Sequence, residues 1–250
     1  MNRLIRAELL KMRTTRTFYA MSSAALALAP ISVATSILTA GNPGTDTALT
    51  TTRTLRAVMS AASSGSPIVL VLGVLIMAGE SHHQTLTSTL LVTPRRGAVV
   101  AAKLIATTLV GFVLAIAAAV LTVAVAVPWL TSKDVHVNLV GGDVAPVLAG
   151  GIAATSLYAL VGVGVGSVVR NQVAAIVGSL VWLFVLEGPL VGLVPRVGRW
   201  FPGGAAAALS AAATVDGGLL PMWGGALLFT AYGLVFAAVG TALMVARDVA

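Results

Sequence analysis

Gly79-Glu80-Ser81-His82-His83-Gln84-Thr85-Leu86-Thr87-Ser88-Thr89-Leu90-Leu91-Val92-Thr93-Pro94-Arg95-Arg96 is a charged, hydroxyl-rich interruption between two long apolar runs. The runs decide the class of the protein, and the interruption marks where something outside the bilayer can hold it. A helix rises 1.5 Å per residue, so about 20 apolar residues cross a hydrocarbon core of about 30 Å. Residues 18–39, 104–127, 147–169, 173–193 and 222–246 meet that length. A sixth run, 58–78, meets it with a polar outer half at Ser63-Ser64-Gly65-Ser66-Pro67. The expected fold is an all-α integral membrane protein: six transmembrane helices in a single transmembrane domain over 1–250, with 80–96 as a loop.

Composition agrees. Hydrophobic residues make up 58% of the chain and charged residues 9%, with mean hydropathy +0.99; a soluble domain carries about 25% charged residues. Barrel strands would alternate polar and apolar residues over ~10-residue segments, and these runs are continuous. The first run is longer than the ~7–15-residue apolar core of a signal peptide, so it is expected to stay as an anchor. With no cysteine in the chain, disulfides, thiol chemistry and Cys-based metal sites are excluded.

A net charge of +7 invites a nucleic-acid reading, but its placement argues for membrane orientation. With the amino terminus inside, ten cations fall inside: Arg3, Arg6, Lys11, Arg13, Arg16, Arg95, Arg96, Lys103, Arg170 and Arg247. Five fall outside: Arg53, Arg56, Lys133, Arg196 and Arg199. Lys and Arg favour the cytoplasmic side, so both termini are expected in the cytoplasm and no nucleic-acid partner is expected.

Residues 1–17 precede the first run. At 100° per residue, Met1, Ile5, Leu9 and Met12 share a face, and Arg3, Arg6 and Arg13 cluster opposite. That pattern predicts an amphipathic helix in the membrane interface; the alternative is a basic flank that only sets topology. In the interruption, Leu86 and Leu90 are four apart and share a helical face, and Pro94 ends the segment before Arg95. A helix this short is unstable alone and needs a groove to dock into; a solvated connector would share its spacing.

The stretch GESHHQTLTSTLLVTPRRGAVVAAK resembles the cytosolic loop of the small six-span type-2 ATP-binding-cassette exporter permeases of actinobacteria. The matching positions are Gly79, Glu80, Thr85, Leu86, Leu90, Pro94, Arg95 and Lys103. RAELLKMRTTRTF, RNQVAAIVGSLVWLFVLEG and VGRWFPGGAAAAL are similar to further segments of that family, in the same order. His82-His83 and the polar half of the second run depart from its pattern. The resemblance implies that 1–17 is an interfacial elbow helix and that 80–96 holds a coupling helix, with Glu80, Thr85, Leu86, Leu90, Pro94 and Arg95 meeting an ATPase subunit. It further implies export, a second permease copy or related permease, and a bacterial plasma membrane. ATP and Mg would sit on the partner subunit, because no G-x-x-x-x-G-K-[ST] phosphate loop occurs here. This chain is expected to bind no cofactor and not to be an enzyme.

Other polar residues weigh less. His82 and His83 are adjacent and point about 100° apart, unlike an i, i+4 metal pair. Glu187 is an ionisable residue near the outer end of the fifth run, a functional candidate by default. Gly188-Pro189 follow at once and predict a helix break, which favours a structural role at the outer gate, paired with water, Arg196 or Arg199. Gly162 and Gly166 have a small-xxx-small spacing that permits close helix contact within the chain or across a dimer. A secondary transporter would need several buried charges and a repeated half. The further alternative is a structural membrane protein with no transport role.

Overall fold

Among the described residues, six helices are long and apolar enough to cross a membrane. Lipid offers no partner to backbone N–H and C=O groups, so each span must bond within itself. The computed structural model describes residues 1–40, 51–82, 96–139, 144–169, 171–210 and 219–246. It is 88% helical, and no strand occurs among the described residues.

Helix α1 (Asn2–Arg13) precedes the first span and ends where the Thr14 and Thr15 hydroxyls both donate to the Lys11 carbonyl at 2.9 Å. Helix α2 (Arg16–Ala40) is the first span. The second is interrupted: α3 (Thr52–Met59) runs into a 3-10 turn (Ser60–Ser63), and α4 (Ser66–His82) completes the crossing. The polar half of the sixth apolar run is this junction. Three of its hydroxyls are satisfied locally, with Ser60, Ser63 and Ser66 donating to the carbonyls of Ala57, Ser60 and Ser63 at 2.7, 2.8 and 2.6 Å. Gly65 lies against the first span, where an added Cβ would stand 2.5 Å from the Ala25 carbonyl oxygen.

The third span, α5 (Arg96–Thr131), starts before and ends after its apolar run. It stops where Asp134 turns to φ 60° and the Val135 N–H returns to the Leu130 carbonyl at 3.0 Å, a left-handed helix stop. The fourth span is α6 (Ala145–Val168). The fifth is assembled from α7 (Gln172–Val181), a π-helical segment (Trp182–Glu187) and α8 (Gly188–Leu193). Helicity therefore continues through Gly188-Pro189, contrary to the expected break. Pro189 stands at the start of α8, where no intrahelical donor is needed, and the wider π turn precedes it. Short helices α9 (Pro195–Gly198) and α10 (Pro202–Ser210) lead toward the sixth span, α11 (Met222–Ala246).

Helix α6 is the hub. Lipid tails are as apolar as leucine, so spans associate through close packing of small residues. A Cβ on Gly162 would lie 2.1 Å from the Leu70 oxygen of α4, and one on Gly73 would lie 2.5 Å from the Ala159 oxygen of α6. Gly166 approaches Val74 on the same face. The Gly162/Gly166 spacing thus serves packing within the chain. On another face of α6, Gly164 lies against Gly233 of α11, and Ser167 lies against Gly240. Tyr158 meets Phe229 edge to face at 4.7 Å, and Ser66 bonds Thr155 at 2.8 Å. The second and fourth spans are each 67% buried over their apolar windows; the first is 28% and the fifth 11% buried.

Candidate functional site

At the end of the bundle that carries α1, two charges meet in the interior. Lys103, on the first turns of α5, has no exposed surface, and its Nζ donates to Glu8 Oε2 of α1 at 2.7 Å. Glu8 is itself buried. The inward face of α1 holds half-buried Ile5 and Leu9 with buried Met12, and Glu8 lies in the same phase; Arg3, Arg6 and Arg13 are exposed. The apolar stripe of α1 is thus in part covered by protein. Breaking such a pair leaves an uncompensated buried charge, so it fixes α1 to the third span more firmly than a surface bridge could.

This pair is the functional feature that sequence reasoning missed. Its signal was a lone acid three residues after Ile5 and four before Met12, on an otherwise apolar face. The matching sign was a lone lysine inside the run Val99–Ile105 at the same membrane end.

Of the residues expected to meet an ATPase, the structure describes the backbone of Glu80 alone. Glu80 belongs to the last turns of α4, so helix carries the second span into the segment expected to be loop. Thr85, Leu86, Leu90, Pro94 and Arg95 lie outside the described residues.

At the opposite end, Glu187 closes the π segment and is 1% exposed. The Gly203 N–H donates to its Oε1. Gly203 is near the start of α10, where backbone donors have no intrahelical acceptor and the helix dipole favours an anion. Glu187 thus caps α10 from another span, and the cap is an amide in place of Arg196 or Arg199. Arg199 stacks instead over Trp200, with 5.4 Å from its guanidinium carbon to the ring centroid. A Cβ on Gly203 would fall 2.9 Å from the Glu187 carboxyl carbon, so a larger residue there would push the carboxylate aside. Aromatic rings enclose the region: Trp182 meets Phe201 edge to face at 5.5 Å, and the Tyr232 hydroxyl donates to the Trp200 carbonyl at 2.8 Å.

Among the described residues no cluster of three or more His, Asp or Glu side chains that could hold a metal ion is present. An amphipathic helix pinned to a bundle of six apolar spans is the architecture of a multi-pass membrane protein. The chain belongs to the ABC-2 transporter family: the model described as ABC-2 family transporter protein matches residues 4–186, from α1 into the π segment. It is therefore a membrane permease of an ABC transporter. A search of curated proteins finds no match.

Proposed function

We propose that this permease is the membrane-spanning subunit of an ABC exporter, moving an amphipathic or hydrophobic molecule outward with ATP hydrolysed on a separate ATPase subunit. The observation that carries this reading is family membership across α1 to the fifth span in a chain without a phosphate-loop motif. Drive must then come from a partner that binds ATP and Mg. The excess of Lys and Arg at the α1 end supports a bacterial plasma membrane location with both termini cytoplasmic. The segment 80–96 then faces the cytoplasm, and Glu187 with α10 forms the outer gate. The fifth span exposes Val173, Val177, Phe184 and Val185, which supports a second permease copy, or a related permease, against that face.

The test is co-purification with the ATPase subunit. If Leu86 and Leu90 dock into its groove, each buries apolar surface worth about 1.5–3 kcal/mol, and an unpaired carboxylate there is costly. The paired change Leu86→Asp, Leu90→Asp is expected to release the ATPase while the six spans still insert. Glu80→Ala is expected to keep the complex and weaken the response of ATP hydrolysis to substrate. A double variant that retained its partner and its transport rate would overturn the coupling assignment.

A further inference from the structure

The inward face of α1 has two surfaces it could lie against. Ile5, Leu9 and Met12 give it an apolar stripe, and lipid tails are as apolar as leucine, so lipid would cover that stripe about as well as protein does. Glu8 interrupts the equivalence. In lipid its carboxylate would be an uncompensated charge, whereas on the third span the Lys103 ammonium meets it at 2.7 Å. The ion pair therefore selects the third span over lipid as the docking surface of α1. The packing agrees: α1 is in more extensive contact with α5 than with α2, although only Thr14 and Thr15 separate it from α2 in the chain. Lys103 is also well placed along α5. Arg96 opens that helix, so Lys103 stands two turns in, about 10 Å along the axis from the segment 80–96 that the proposed function assigns to the ATPase.

We propose that Glu8 and Lys103 are positioning residues for ATP-driven transport. The pair makes α1 follow the third span, so that a displacement of the segment before Arg96 moves α1 together with α5. This role needs no contact with ATP or substrate. It rests on the proposed drive by a separate ATPase subunit, while the docking preference behind it does not, and the two are measured separately.

The experiment uses the full-length chain, co-expressed with its ATPase subunit and reconstituted in lipid vesicles. Wild type is compared with an apolar pair, Glu8→Leu with Lys103→Met, and with the exchanged pair, Glu8→Lys with Lys103→Glu. Replacing a buried ion pair by apolar residues of similar volume is often neutral for stability, so the apolar pair is expected to melt close to the wild type and to keep the ATPase bound. Its transport per ATP hydrolysed is expected to fall about tenfold, within the range of coupling between distant sites. The exchanged pair is expected to recover most of that loss. Spin labels on cysteines at the exposed positions Arg6 and Gly97 read the docking of α1 without the ATPase. One narrow distance is expected in the wild type and the exchanged pair, and a broad distribution in the apolar pair. Should the apolar pair misfold, Glu8→Gln, which keeps the volume, takes its place with the same expected outcome. Wild-type transport per ATP in the folded apolar pair would overturn the proposal, as would an unchanged narrow distance there or an exchanged pair that stays uncoupled. A wild type that binds no ATPase would overturn the proposed function and this role with it, and the label distances tell that failure from the others.

Discussion

Glu8 and Lys103 are 95 residues apart in the chain and 2.7 Å apart in space, and each offsets the cost of burying the other's charge. Glu8→Ala takes this carboxylate from the buried Lys103 ammonium, and removing one partner of a buried pair costs about 3–5 kcal/mol. The expected outcome is a clear fall in the melting temperature of the detergent-solubilised protein. Exchanging the charges, Glu8→Lys with Lys103→Glu, is expected to recover much of that loss, and a double variant as unstable as the summed single changes would count against the pair. Glu187 differs, since its partner is a backbone amide. Glu187→Gln keeps an oxygen for the Gly203 N–H and is expected to cost no more than an ordinary cap, about 0.5–2 kcal/mol, with most transport intact. Glu187→Leu removes the contact and is expected to lower folded yield, whereas Gly203→Ala keeps the N–H and displaces only the end of the Glu187 side chain, so it is expected to cost less. Loss of transport in a well-folded Glu187→Gln would instead move this carboxylate into the substrate pathway.

Helices in this bundle differ in how tightly the chain itself holds them. Gly162 has the Leu70 carbonyl where a side chain would begin, whereas Gly178 on the fifth span has nothing within 4 Å of an added Cβ. Gly162→Ala is therefore expected to destabilise by about 1–3 kcal/mol through overpacking. Gly178→Ala is expected to be neutral, or to stabilise by about 0.5–1 kcal/mol through reduced backbone freedom. Thermal unfolding of the two variants side by side checks the contrast. The same two helices show what sequence reading reaches. Continuous apolar length made the spans visible, because a bilayer imposes a length that soluble packing does not. Which helix lies at the centre was hidden, since the fourth and fifth spans have nearly the same composition and only spatial neighbours distinguish them. The π segment was hidden for a related reason: Trp182–Glu187 carries no local signal for a wider turn, and Gly188-Pro189 read as a stop. Likewise the stripe on α1 was legible from its period, but the third span that covers it is distant in sequence.

Across the whole molecule, α1 and the end of α4 share one end, and Glu187 with α10 occupies the other. Cysteine chemistry can assign these ends to compartments, because the chain has no cysteine to compete. Single cysteines at the exposed positions Thr52 and Ser132 are expected to react with an impermeant maleimide on intact cells, and one at exposed Thr14 only after permeabilisation. External labelling of Thr14 would invert the proposed orientation. The interrupted second span also bears on how the protein is made. Its continuous part, α4, has 17 residues and reaches about 25 Å, short of the roughly 30 Å that a crossing needs. The missing length comes from a serine-rich turn whose Gly65 rests on Ala25 of the first span. During synthesis the earlier helix is in place as the receiving surface for this polar turn, and one glycine sets how closely the two meet. In a glycosylation-reporter insertion assay, residues 52–82 are expected to integrate less well alone than behind residues 16–40. Gly65→Leu is expected to abolish the gain, and equal integration in both settings would show that the second helix needs no predecessor.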